Sequence, residues 1–239
     1  MHRRYEFPVR VPRTRGATYC RAVVYRLGAE VENEPVEKER CMGFLPCFGA
    51  VTMVCVLTWG AAEDAPGLAL VRAAREQVGK TVAYDSGYAS LAYPNGDVPL
   101  ERGVCTDVLI RALRTAYGMD LQQLVHEDMK AHFSAYPKEW GLKHPDKNID
   151  HRRVPNLRTY FKRKGYDIEV THQGEDYLPG DLVTCTLPGN LAHIMVVSDT
   201  VNSAGQPFVI HNIGGGAREE DRLFEFPLTG HYRIPAPKG

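Results

Sequence analysis

The sequence predicts an α+β domain over residues 63–239, on three observations. Apolar residues recur at helical spacing only between residues 66 and 164. Strand-length apolar runs follow, between residues 168 and 234. The turns between those runs are too short to hold a crossover helix, so the sheet they form is antiparallel.

Each element has its own signal. Pro66 opens the first helix, Leu68, Val71, Ala74 and Val78 share a face, and Gly79 stops it. Residues 84–102 read as loop, with Asp85-Ser86-Gly87 and Pro94-Asn95-Gly96-Asp97 as turns. A second helix runs from Cys105 to Tyr117, with Val108, Leu109, Ala112, Leu113 and Ala116 at core spacing and Gly118 as terminator. Asp120 caps a third, which carries Leu121, Leu124, Val125 and Phe133. Residues 137–153 are polar and irregular, and Pro155 to Lys164 makes a fourth helix closed by Gly165. Strands are expected at Ile168–Val170, Asp181–Leu187, Leu191–Ser198 and Pro207–Ile213, with weaker candidates at Leu223–Phe226 and Tyr232–Ile234. Pro179-Gly180, Pro188-Gly189-Asn190 and Asn202–Gly205 are the hairpin-type separators.

The first sixty residues differ in texture. Residues 1–41 form an extension rich in Arg and Glu with no sustained apolar period. Cys41 to Ala62 then runs without a charge, after Lys38 and Arg40 and ending in Gly60 and Ala62. That is the layout of a signal peptide, so residues 42–62 are expected to direct export to the periplasm or cell envelope. A membrane anchor is the alternative, because the run is long enough to span a bilayer core. Contact with a membrane is expected only through this segment, and only if it is not cleaved.

Charge excludes one class of partner. The whole chain is formally neutral, and residues 63–239 carry 20 basic against 23 acidic side chains. No basic footprint for nucleic acid is present.

Of six cysteines, Cys105 and Cys185 fall in the expected mature domain. In an oxidising compartment these two can form one disulfide, which would make the chain a non-catalytic binding module. The positions suggest otherwise. Cys105 opens a strongly amphipathic helix, where free N–H groups and the positive helix end favour a thiolate and can hold an oxyanion. Cys185 shares an apolar strand face with Val183 and Leu187 and reads as a small hydrophobe. A cysteine nucleophile needs a base. His193 and His211, each within an apolar strand, are the candidates, whereas His144 and His151 belong to the polar insertion. A Cys–His–His zinc site lacks closely spaced ligand pairs, so neither metal nor cofactor is expected. Asp107 is read as helping Thr106 cap the second helix. Asp150-His151-Arg152-Arg153 reads as a solvated charge cluster, with Arg152 and Arg153 as candidate carboxylate binders.

The order of these motifs resembles a known family. Helix-start Cys105, then Pro179-Gly180-Asp181-Leu182-Val183, Ala192-His193-Ile194-Met195-Val196-Val197-Ser198-Asp199 and Val209-Ile210-His211-Asn212 resemble the NlpC-type cell-wall cysteine peptidases. Those belong to the papain-like superfamily. Ala73-Ala74-Arg75-Glu76-Gln77-Val78-Gly79 and Tyr84 look like that family's opening helix and active-site tyrosine. Gly103-Val104-Cys105-Thr106-Asp107 and Asn148-Ile149-Asp150-His151-Arg152-Arg153 look like an uncharacterised bacterial family within it. The resemblance implies a papain-like fold with Cys105 as nucleophile, His193 as base, His211 as the orienting third residue and Tyr84 on the oxyanion side. It implies amide hydrolysis in peptidoglycan stem peptides. Hydrolysis or transfer of lipid or thioester acyl groups is the second enzymatic reading. Val104 stands where the peptidases usually carry Asp, and Thr106-Asp107 where they carry Ser-Gly.

Overall fold

The computed structural model describes residues 67–237. The N-terminal extension, the apolar 42–62 segment and Pro66 lie outside the described residues. Within them, no helix is long and apolar enough to cross a membrane.

The expected α+β organisation is present, with helices preceding a six-stranded antiparallel sheet. The helices are α1 (Leu68–Arg75), α2 (Cys105–Tyr117), α3 (Leu121–His132) and α4 (Val154–Arg163). A two-residue parallel ladder joins β1 (Ala83–Tyr84) to β2 (Arg102–Gly103), just ahead of α2. The large sheet contains β3 (Asp167–Ile168), β4 (Leu182–Leu187), β5 (Leu191–Val201), β6 (Pro207–Asn212), β7 (Ala217–Glu220) and β8 (Leu228–Tyr232). Its strand order is β3-β8-β4-β5-β6-β7.

Local chemistry sets the helix ends. Gly118 leaves α2 at φ 64°, a left-handed conformation that glycine takes without a Cβ penalty. Asp120 caps α3 as expected, accepting from the Gln122 N–H. Gly67 starts α1 at φ 99°, where a Cβ would sit 2.0 Å from the Pro179 carbonyl oxygen. Only glycine lets the chain pass the Pro179-Gly180 turn there.

The central strands are apolar on both faces. Leu182, Ile194, Val196 and Ile210 pack against Leu70, Leu109, Leu113 and Phe161 of the helices. Val183, Cys185, Met195, Val197 and Val209 pack on the other side beneath Tyr177 and Leu223. A sheet covered on both faces reads as continuous apolar runs, which is why β4 to β6 were legible. Full burial of Leu109 or Leu113 contributes about 1.5–3 kcal/mol each. Cys185 is a core side chain, as its strand position predicts.

Four expectations need correction. Leu223–Phe226 is a turn, not a strand, and Leu223 and Phe224 cover the Cys185 face. The last strand begins earlier, at Leu228. Ala217–Glu220 is an edge strand that Ala-Arg-Glu-Glu does not announce, because an edge needs no apolar alternation. The Asp150–Arg152 segment is a 3₁₀ turn rather than a solvated loop, with Asp150, His151 and Arg152 all buried.

Candidate active site

The site is built around the start of α2. Val104 is extended, and Cys105 is the first helical residue. Val104 has no side-chain acceptor, so the helix start is secured from inside by Asp107, whose Oδ2 accepts from the Val104 N–H at 2.7 Å. Thr106 instead donates to the Arg152 carbonyl at 3.1 Å. Gly103 makes room for this arrangement, since a Cβ on it would lie 2.9 Å from Asp107 Oδ2. Asn212 of β6 holds the approach, donating to the carbonyls of Gly103 (3.0 Å) and Ala83 (3.3 Å).

Asp107 also anchors Arg152. The guanidinium donates to both carboxylate oxygens at 2.9 Å and to the carbonyls of Asp85 and Gly87 at 3.1 Å. The two side chains are 2% and 4% exposed, so this is a buried bidentate pair. Arg152 therefore has its charge committed to the fold. Its expected role as a carboxylate binder is corrected to a structural one. Arg153 remains nearer to that role. Its guanidinium lies over the Trp140 ring at 4.1 Å and meets Asp150 only at 3.4 Å.

Cys105 borders a cavity of about 190 Å³ lined also by Tyr84, Ser86, Ile149, Arg153 and Ala192. A larger hollow of about 460 Å³ lies between α4 and β8, but it holds no cysteine and no member of this constellation. The expected low thiol pKa is not what the environment gives. Burial pushes the Cys105 thiol up to about 11, while N–H groups of Ile194, Thr106 and Cys105 itself pull it down. Desolvation outweighs the helix start, so the resting thiol is neutral. Burial, then proximity to Cys105, pushes the Tyr84 phenol up to about 12, which keeps it a hydrogen-bond donor.

The two histidines meet. His193 Nε2 lies 2.8 Å from His211 Nδ1, and His211 Nε2 lies 3.1 Å from Glu220 Oε2 on the unforeseen strand β7. Burial, then His211, pushes His193 down to about 3. Burial also lowers His211, against the pull of Glu220. Both rings are neutral at rest. No hydrogen bond joins Cys105 to His193 among the described residues, and His193 Nδ1 has no partner there. The neighbours of His193 along β5 do reach Cys105: Ala192 lines its cavity and the Ile194 N–H faces its sulfur. Thus Cys105, Tyr84, Arg152 and Arg153 share one cavity against the face of β5 that Ala192 and Ile194 present. His193 and His211 meet on the other face, which His193 shares with its register partner Cys185.

Sequence reasoning missed Glu220 because β7 was not foreseen. Asn212 enters the sequence reading only as the end of the Val209–Asn212 motif, whereas alternation uses both it and His211, one on each face of β6. Cys105 and Cys185 are free thiols, so the disulfide alternative does not describe this structure. Among the described residues no group of His, Cys, Asp and Glu is placed to hold a metal ion.

Buried neutral histidines make stability depend on acid. His193 and His151 both fold with values near 3, His151 through burial and then Arg114 and Arg152. Their unfolded forms take protons first, near 6.5, so stability falls as pH drops from there towards 3. Each ring contributes a loss of roughly 1.4 kcal/mol per pH unit within that window. Asp150, pushed up to about 6 by burial, acts in the opposite direction below that pH. Urea midpoints measured from pH 7 to pH 4 are expected to fall. A flat or rising series would contradict the buried-neutral assignment.

Comparison with known proteins places the chain. An Escherichia coli K12 protein described as uncharacterized protein YijF is 55% identical over 166 residues, covering 70% of this chain and 80% of that one. Among solved structures, NlpC2 and NlpC1 of Trichomonas vaginalis align with TM-scores of 0.37 and 0.34, at 14% and 15% identity. Those alignments cover 74% and 69% of this chain but 49% and 43% of the other two, so the chain spans about half their length or less. The family model described as Domain of unknown function (DUF1287) matches residues 71–234, and the chain belongs to that family.

Proposed function

We propose that this chain is a cysteine hydrolase that cleaves amide bonds through an acyl-enzyme on Cys105, with peptidoglycan stem peptides as substrate. One observation carries the reading: a cysteine at a helix start borders a cavity walled by Ala192, the residue before His193 of the hydrogen-bonded His193–His211 pair. The motif order of the papain-like cell-wall peptidases supports it further. The charge-free 41–62 run supports action outside the cytoplasm, where that substrate lies.

The reaction follows from the groups available. Cys105 gives its thiol proton to His193 Nδ1, and the sulfur attacks the amide carbonyl carbon. The oxyanion is held by free N–H groups of the helix start and by the Tyr84 hydroxyl. Collapse breaks the C–N bond, and the leaving nitrogen takes the proton from His193. Water then cleaves the thioester, delivering its proton to the same ring and regenerating the thiol. At rest His193 lies on the opposite face of β5 from Cys105, so this transfer requires the first residues of β5 to turn His193 toward the cavity in the substrate complex. A neutral resting thiol limits indiscriminate reaction when no substrate is bound.

Arg153 supplies the cation for a stem-peptide carboxylate. Arg153→Ala is expected to raise KM roughly tenfold with little change in kcat, since the contact is made equally in ground and transition states. The deciding experiment incubates the purified chain with peptidoglycan fragments, and separately with short- and long-chain acyl esters, using Cys105→Ala as blank. Fragments released only by the wild type, identified by mass, are the expected result. Cysteine-dependent ester cleavage with fragments untouched would replace this reading with acyl hydrolysis.

A further inference from the structure

We infer that Glu220 is the positioning residue that sets the tautomers of both histidines and so turns His193 Nδ1 toward the role of base. This rests on the reading of His193 as the proton acceptor for Cys105.

The argument is a hydrogen-bond count. As a carboxylate, Glu220 can only accept, so the nitrogen of His211 that faces it, Nε2 at 3.1 Å, carries a proton. A neutral His211 then has a bare Nδ1. That nitrogen lies 2.8 Å from His193 Nε2, so His193 must donate there and hold its own proton on Nε2. What remains on His193 is a lone pair at Nδ1, the nitrogen without a partner among the described residues. The reverse tautomers would place a bare His211 Nε2 against a carboxylate, lone pair against lone pair. Protonation of both His211 nitrogens would put a charge on a ring that is 1% exposed.

Among the described residues the setting leaves no other group for this task. Arg222 Nε lies 3.3 Å from the same Glu220 oxygen and is itself only a donor. Arg218 is the register partner of His211 and cannot accept either. Glu225 acts on His211 through its charge and makes no hydrogen bond to it. When His193 takes the thiol proton, the chain through His211 to Glu220 places a negative charge at the far end of the developing cation. A two-residue slip would detach this end, because β7 meets β6 only through four residue pairs.

The test needs no substrate. Long-range nitrogen–proton NMR spectra of the histidine rings, taken on the full chain, report which nitrogen is protonated. The wild type is expected to show both His193 and His211 protonated at Nε2. Glu220→Met removes the acceptor, and His211 should then populate both tautomers. Cys105 alkylation by iodoacetamide should slow roughly tenfold, because its base is no longer oriented. Glu220→Gln restores an acceptor oxygen without charge, and should recover the wild-type rings and alkylation to within about threefold. If Glu220→Met fails to fold, the wild-type and Glu220→Gln spectra still decide. A wild-type His211 protonated at Nδ1, or rings unmoved in Glu220→Met, would overturn the assignment. The two inferences fail separately: loss of the hydrolase reading means no Cys105-dependent turnover, whatever the ring spectra show.

Discussion

Cys105→Ala is expected to reduce turnover to background, a loss on the order of 10⁴-fold or more, because the hydroxyls of Ser86 and Tyr84 that also line the cavity are far weaker nucleophiles than a cysteine sulfur. Cys185 cannot substitute. It is fully buried among Val183 and Met195 on the sheet face away from the helices. His193→Ala is expected to cost roughly 10²–10⁴-fold, the usual worth of a positioned general base. His211→Ala should cost less, because it removes the orientation of the base and not the base. Turnover numbers with matched thermal melts check the series. Cys105→Ala should melt within a few degrees of wild type, since one small side chain is lost from a helix start. Retained turnover in Cys105→Ala, or an equal loss in Cys185→Ala, would remove the nucleophile assignment.

Arg152→Ala is expected to destabilise the domain by about 3–5 kcal/mol, the cost of leaving one partner of a buried ion pair uncompensated. The guanidinium does more than neutralise Asp107. It ties the 85–87 loop and the buried Asp150–Arg152 turn to the first turn of α2. Its loss leaves a carboxylate 4% exposed and two loop carbonyls without their donor. Asp107→Ala should cost a similar amount and also lose the Val104 cap. Replacing both, as Asp107→Leu with Arg152→Met, should recover part of the loss, because no charge is then left buried alone. Arg153→Ala is the control, expected to shift stability by about 1 kcal/mol or less, as its side chain is partly solvated. Urea denaturation of the five proteins measures this. An Arg152→Ala variant as stable as wild type with a raised KM would return Arg152 to the substrate.

Much of the backbone was legible because its signals are local. The second helix from Cys105 to Tyr117 was read with its final boundaries, since a terminal glycine and five apolar residues at helical spacing all lie within one segment. Strands β4 to β6 were legible for a related reason: a sheet buried on both faces imposes continuous apolarity on each strand. The edge strand β7 was not, because among the described residues one side of it has no neighbouring strand and its residues carry little burial demand.

The sequence by itself determined that a cysteine opens α2 and that two histidines occupy adjacent apolar strands, since these are consequences of periodicity along the chain. Tertiary structure decided what those groups face. Asp107 and Arg152 are 45 residues apart and meet only because the 3₁₀ turn packs on the start of α2, which converts an expected solvated cluster into a buried pair. Glu220 reaches His211 only through β6–β7 pairing, and Asn212 reaches Gly103 only across 109 residues. The thiol's elevated pKa has the same origin. A helix start is written locally and favours the thiolate, but burial is the sum of everything folded over Cys105, and that sum is larger.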